Sequence, residues 1–197
     1  MVTTGFSRIH VSEYNAAGGK VTYSNCRELA RAKSMSIDVA TSDENKFYAN
    51  NRLAEVEPAA FESGTLKLVV DGLSGEEEAL ILGIAETTMT VGEKSVPVVK
   101  FGKAVNPPYL GIGGVKRMQM NGVVSFRPVI FCKARFAMPA DAAETQEEKI
   151  NYQTQELSAA VMRDDTPEEN WKIIPKEGFA TEDEAVAFIK AVLGGAA

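Results

Sequence analysis

Residues 115–136 form the longest β-forming stretch of the chain, and near its middle stands Asn121-Gly122. That dipeptide is the strongest short-range hairpin signal a sequence offers, because both residues accept the left-handed backbone that a tight, correctly twisted turn needs. A two-residue loop sets Val124 beside Gln119 and Phe126 beside Arg117, mixing apolar and polar side chains on each face. The expectation is therefore a three-residue loop, Met120-Asn121-Gly122, with Gly122 in a bulge, Met118 opposite Val124 and Arg117 opposite Ser125. Lys116 then falls awkwardly against Phe126. On the second strand Val124, Phe126, Pro128, Ile130, Cys132, Ala134 and Phe136 share one face; Ser125, Arg127, Lys133 and Arg135 share the other with Val129 and Phe131. Pro128 has no N–H to give a ladder, so an edge or bulge position is expected for it.

Period-two alternation recurs elsewhere. Met35, Ile37 and Val39 stand against Ser34, Ser36 and Asp38; Leu66, Leu68 and Val70 form a second set, and Val21 with Tyr23 a third. Residues 6–11, the turn-rich break 15–19 and the strand after it read as an N-terminal hairpin. Two helices carry capping boxes. Ser74 with Glu77 opens one, whose first turn holds Glu76, Glu77 and Glu78 and whose Ala79 to Leu82 supply burial. Thr181 with Glu184 opens the other, with Ala185, Phe188, Ile189, Val192 and Leu193 at helical spacing and Gly194 as its stop. The fold class expected is mainly β (α+β): a β-sandwich or barrel with a flanking helix, a long inter-strand loop and a C-terminal helix.

Residues 41–63, 139–149 and 163–178 read as long irregular segments, which in a small domain are usually functional or disordered. The first carries Phe47, Tyr48, Leu53 and Phe61, apolar groups that a merely solvated loop does not need. A neighbouring subunit covering them is one explanation. With Asn121 and Gly122 at the hairpin tip, these are the candidate inter-subunit contacts.

The 197 residues fit one domain spanning 1–197, with an N-terminal arm and a C-terminal extension over 163–197; nothing demands a second. No run approaches the roughly 18 apolar residues of a membrane helix, and the polar start lacks a signal-peptide layout, so a cytoplasmic site of synthesis and no membrane partner are expected. A net charge of -6 argues against a surface that grips phosphates. Cys26 and Cys132, far apart and outside any motif, suggest reduced thiols.

Groups suited to chemistry are sparse. His10 is the single histidine, so there is no second imidazole for a metal or relay, and a surface or interface role is expected. Neither cysteine has another base to activate it. Gly111-Ile112-Gly113-Gly114 lacks dinucleotide-loop spacing and reads as a bent or bulged strand. Glu76 to Glu78 are explained by the helix start. Asp164, Asp165, Glu168 and Glu169 lack calcium-loop spacing and read as a solvated acidic turn, and Trp171 after them as core packing. No catalytic residue, cofactor or metal site is expected.

Several phrases in order carry a resemblance: Gly19-Lys20-Val21-Thr22-Tyr23, residues 29–36, Asp71-Gly72-Leu73-Ser74-Gly75-Glu76-Glu77-Glu78, Asn106-Pro107-Pro108-Tyr109-Leu110-Gly111-Ile112-Gly113, Val129-Ile130-Phe131 and residues 180–193. Together they resemble the major tail protein family of long, non-contractile-tailed bacteriophages and prophages over essentially the whole chain. The resemblance implies a β-sandwich flanked by a helix, assembled into hexameric rings that stack into a tube, with a long loop and terminal arms bridging neighbours. It further implies a virion-tail location after assembly in the host bacterial cytoplasm. The implied partners are other copies of the chain, a tape-measure protein and tail terminator and distal tail proteins, with DNA passing through the lumen without tight binding. The same fold in a tail-derived bacteriocin or secretion tube is an alternative. From another class, a small β-barrel enzyme or ligand-binding protein would use a pocket near Cys132 or Asp164.

Overall fold

A computed structural model of the chain describes residues 1–103, 105–141, 145 and 152–195. The elements in order are β1 (Val2–Ala17), β2 (Lys20–Glu28), β3 (Ala32–Thr41), β4 (Asn45–Ala49), β5 (Arg52–Glu57), β6 (Phe61–Val70), α1 (Gly75–Leu82), β7 (Glu86–Val91), β8 (Lys94–Val99), β9 (Leu110–Met120), β10 (Val123–Phe136), β11 (Gln155–Met162), β12 (Lys172–Ile173) and α2 (Glu182–Val192). The protein is mainly β. Among the described residues, one antiparallel sheet runs β2-β1-β9-β10-β11-β6-β3 with β12 beside β10, while β4–β5 and β7–β8 are separate two-stranded ribbons. The expected N-terminal hairpin is present: β1 and β2 meet at the two-residue turn Gly18-Gly19, both with positive φ. The segment expected as an N-terminal arm is β1 itself, paired with β9 from Val2 onward.

The sheet curls so that β3 approaches β1, enclosing the main core. Ile9 and Val11 meet Leu66, Leu68, Leu110, Ile112, Val129, Phe131 and Leu157 there, all buried. α1 adds Ile81 and Leu82 and begins at the expected capping box, with Ser74 accepting from the Glu77 N–H and Glu77 from the Ser74 N–H. Each such aliphatic side chain, fully buried, contributes on the order of 1.5–3 kcal/mol relative to exposure.

α2 lies on the opposite face of β1, β9 and β10, where a second core of Val115, Ile130, Ala185, Val186, Ile189 and Leu193 forms. The Thr181–Glu184 capping box opens the helix as expected, and Gly194 follows its C-cap with φ 70°. The glycines of β9 explain how it sits. A Cβ on Gly113 would lie 2.5 Å from Ile189 Cγ2, and one on Gly111 would lie 2.6 Å from Leu193 Cδ2. One helical turn rises about 5.4 Å and two strand residues about 6.7 Å, so Ile189 and Leu193 step along the strand in near register with Gly113 and Gly111. Gly114 faces the main core, where a Cβ would lie 2.6 Å from the Phe6 ring. The expected bent strand is thus a close-packed floor.

Three readings of the β9–β10 region are corrected. Met120 pairs with Val123, so the loop is the two-residue Asn121-Gly122 turn, with φ 49° and 81°, and Gln119 faces Val124 after all. Met118 to Gln119 and Val123 to Ser125 are exposed or half-buried, so burial exerts no force on register there and turn chemistry decides it. Second, the register shifts between Phe131 and Ala134, a bulge that reverses the alternation of faces. Ala134 and Phe136 therefore join Val129 and Phe131 in the main core, while Phe126 and Ile130 face α2. Third, Pro128 sits in a central strand. It lies between the Phe126–Phe179 bridge and the Ile130–Ile173 pair, in an interval where no partner follows the ladder. Phe126 exchanges backbone hydrogen bonds with Phe179, so the position two residues on directs its missing N–H to that flank.

The expected irregular loop 41–63 is also corrected: it holds the end of β3, the β4–β5 hairpin and the start of β6. The β7–β8 ribbon was not foreseen. The segment 163–178 is largely irregular, as expected, apart from β12. Of the segment 139–149, residues 142–144 and 146–149 lie outside the described residues.

Gly113→Ala should cost about 1–3 kcal/mol by overpacking against Ile189, read by urea denaturation. Gly102→Ala, where an added Cβ meets nothing within 4 Å, should change stability by less than about 0.5 kcal/mol.

Candidate assembly surface

The β4–β5 hairpin leaves the sheet where Thr41 pairs with Phe61, and a neck of two hydrogen bonds, Ser42 N–H to Ala60 C=O and Ala60 N–H to Ser42 Oγ, continues the ladder briefly. Its tip is Asn50-Asn51, both at positive φ (51° and 61°), the backbone of a hairpin turn. Asparagine suits that conformation because its short polar side chain tolerates left-handed backbone. Phe47 and Tyr48 are each 61% exposed and Leu53 is 51% exposed, with Tyr48 directly opposite Leu53. Every residue of both strands is solvent-exposed. A two-stranded ribbon is marginal alone in water, and its apolar side chains gain nothing by standing in solvent.

The structure separates the expected contact residues. Phe47, Tyr48 and Leu53 are on this arm. Phe61 is at its root, half-buried and stacked on Trp171 with ring centroids 4.2 Å apart. Asn121 and Gly122 form a different exposed tip, flanked by exposed Met120 and Val123. The β7–β8 ribbon adds a surface that sequence reasoning missed. Met89 pairs with Val96, Thr87 with Val98 and Val91 with Lys94, so Met89, Val91, Val96 and Val98 share one face, and the first three are exposed. Its signal was present in the β-branched run Thr87 to Val91 and in Gly92, which supplies positive φ at the first turn position. The sheet path itself ends on β2 and β3. Such edges are templates for pairing with another chain.

The groups weighed for chemistry are absorbed into the packing. His10 is 2% exposed, which corrects the expected surface or interface position. Its Nδ1 stands 3.0 Å from the Arg8 carbonyl, to which it donates. Arg8 bulges out of β1 at φ 58°, which lets His10 lie on the α2 side opposite Gly113. Ser12, also buried, holds its single O–H between the carbonyls of Ser24 and Leu193, 2.6 and 2.8 Å from its oxygen, and so ties the end of α2 to the sheet. Burial pushes the Cys132 thiol up to about 12, reinforced by Asp164. A thiol held protonated at neutral pH is the reverse of an activated nucleophile.

The acidic turn is likewise engaged internally. Asp164 accepts from the N–H and hydroxyl of Thr166. Asp165 accepts from Lys133 Nζ at 2.7 Å and from the Tyr14 hydroxyl at 2.7 Å, and those partners lower its pKa. Glu77 serves its capping box and Glu76 pairs with Arg27. Among the described residues, no group of three or more His, Cys, Asp and Glu side chains is arranged to hold a metal ion. No protein-family model matches the chain, and no curated protein matches it either.

Burial holds His10 below its ordinary pKa of 6.5; Arg8 and Lys190 also lower it, against the Arg8 carbonyl and Glu28, which raise it. The folded state therefore binds that proton less tightly than the unfolded chain, so stability rises with pH through this window. The contribution is complete above about 6.5 and is lost progressively below it. Comparing urea midpoints between pH 7.5 and pH 5.5, His10→Gln should show a smaller loss of stability on acidification than the wild type.

Proposed function

We propose that the chain is a structural subunit of a phage tail tube, which assembles with copies of itself into rings, hexameric by resemblance, that stack into the conduit for genome delivery. The observation that carries this reading is the β4–β5 arm, which holds Phe47, Tyr48 and Leu53 in solvent on a ribbon that makes no core of its own. An arm of this kind is stable in use when another copy covers it. The β7–β8 ribbon and the open edges β2 and β3 offer further surfaces, and a ring is one way in which edge strands find partners without uncontrolled growth.

The phrases behind the resemblance also fall at joints of the fold. Gly19 to Tyr23 make the β1–β2 turn and the start of β2, and residues 71–78 lead into the α1 cap. Asn106 and Pro107 accept hydrogen bonds from Arg135 as the chain enters β9. On this reading the chain is not an enzyme, its location is the virion tail, and its further partners are the tape-measure, terminator and distal tail proteins. The acidic balance suits a lining past which DNA slides, because a net negative charge repels phosphates rather than holding them.

Electron micrographs of the concentrated wild-type protein should contain rings or hollow tubes. The double variant Phe47→Ser, Tyr48→Ser should keep the wild-type melting temperature within about 3 °C, since surface changes cost little, yet lose the assemblies. A wild-type protein that remains monomeric at every concentration reached would sink the proposal.

A further inference from the structure

Where β9, β10 and β3 diverge at the open end of the main core, a pocket of about 160 Å³ is floored by Ile37, Val129 and Phe131 and rimmed by Lys116, Arg127 and Lys172. The alternation that places Ile112 and Phe131 in the core continues outward to Lys116 and Arg127, so both belong to the inner face. They are directly opposed across the two strands. Like charges in that position repel, and no carboxylate stands among the lining residues. None of the three cations appears in an ion pair among the described residues. Arg127 donates Nε to the Pro175 carbonyl and Lys172 lies over the Trp171 ring, so both are positioned without being neutralised. Burial, then Lys172 and Arg127, hold the Lys116 ammonium below its ordinary range. The three cations thus stand together over an apolar floor without a carboxylate partner among the described residues, a surface complementary to an acidic, apolar one.

We propose that this basic, apolar pocket is the socket for the acidic, apolar β4–β5 arm of a second copy of the chain, with Glu55 and Glu57 meeting Lys116, Arg127 and Lys172 while an apolar arm residue covers the floor. The arm fits by composition. Asp43, Glu44, Glu55 and Glu57 outnumber Lys46 and Arg52 along it, and Glu44 already pairs with Lys46, leaving Glu55 and Glu57 beside Leu53 and Val56. The other ribbon does not fit, because Glu86 and Glu93 are balanced by Lys94 and Lys100. Nor is the arm seated in its own pocket, since its side chains are in solvent. The contact is heterologous, arm to socket, and such contacts propagate into rings when the rotation closes.

This inference rests on the self-assembly proposed above, and charge reversal tests it separately. Lys116→Glu with Arg127→Glu, and separately Glu55→Lys with Glu57→Lys, should each raise the concentration needed for assembly by about tenfold or more, as lost charge pairing at an interface does. Circular dichroism and melting of each variant verify folding. The fourfold variant, with both sets reversed, should regain assembly. If the wild type assembles and either pair of reversals leaves it unaffected, or the fourfold variant is no better than the pairs, the socket is wrong while the tube reading stands. If the wild type sediments as a monomer throughout, both fall together.

Discussion

Gly113 and Gly111 present bare backbone to Ile189 and Leu193, and the arrangement of both cores follows from that close approach. A side chain at either position would lift α2 off the sheet and open the contacts with Val115 and Ile130 beneath it. Because β9 and β10 are buried on both faces, any shift of the helix would also reach Ile112 and Phe131 on the other side. Dense interiors transmit such displacements because they hold few voids to absorb them. The helix is pinned at both ends as well, by the Ser7 hydroxyl to Glu182 and by the Ser12 hydroxyl to the Leu193 carbonyl.

Beside the C-terminal end of α2, polar contacts do the fastening. The Lys133 ammonium lies 5.2 Å from the Tyr14 ring centroid and 4.8 Å from that of Tyr109 while pairing with Asp165, and the Arg135 guanidinium lies 5.3 Å from the Tyr109 ring centroid. Lys133 is at the bulge that reverses the faces of β10, so one extra residue both returns Ala134 and Phe136 to the core and frees a cation to bind the 163–166 turn. Exposed ion pairs contribute little alone, but a lysine enclosed by two aromatic rings and a carboxylate is held in one geometry and ties two loop segments, at Tyr109 and Asp165, to β1 at Tyr14.

The sequence was most readable where a single physical signal decided the outcome. Both helices begin at their capping boxes because Ser74 and Thr181 satisfy N–H groups that nothing else can reach. Leu66, Leu68 and Val70 are buried as their alternation requires. Reading failed where two signals competed. Sorting faces by polarity led away from the Asn121-Gly122 turn, because it assumed burial near a tip that stands in solvent, and the awkward Lys116 against Phe126 was the symptom of that error. The bulge at 132–133 has no composition mark of its own, so the parity of β10 was legible only to Phe131. The arm residues Phe47, Tyr48 and Leu53 stood out by being apolar without a pattern. Lys116, Arg127 and Lys172 are distant in sequence and converge only through strand pairing.

One of the two partners of β1 is distant in another sense: Val2 pairs with Gln119 of β9. During synthesis at roughly 5–20 residues per second, the β1–β2 hairpin therefore emerges on the order of ten seconds before β9 exists. The β4–β5 and β7–β8 ribbons, closed by short turns, need only about 1–10 microseconds once made. The sticky projections of the molecule thus form and reopen on the ribosome, being marginal alone, while the body that should carry them is still an open chain with Ile9 and Val11 uncovered. Crowded polysomes making this protein hold nascent chains that expose both arms and edges at once, and the interval before β9 arrives is the time in which a holding chaperone has something to protect.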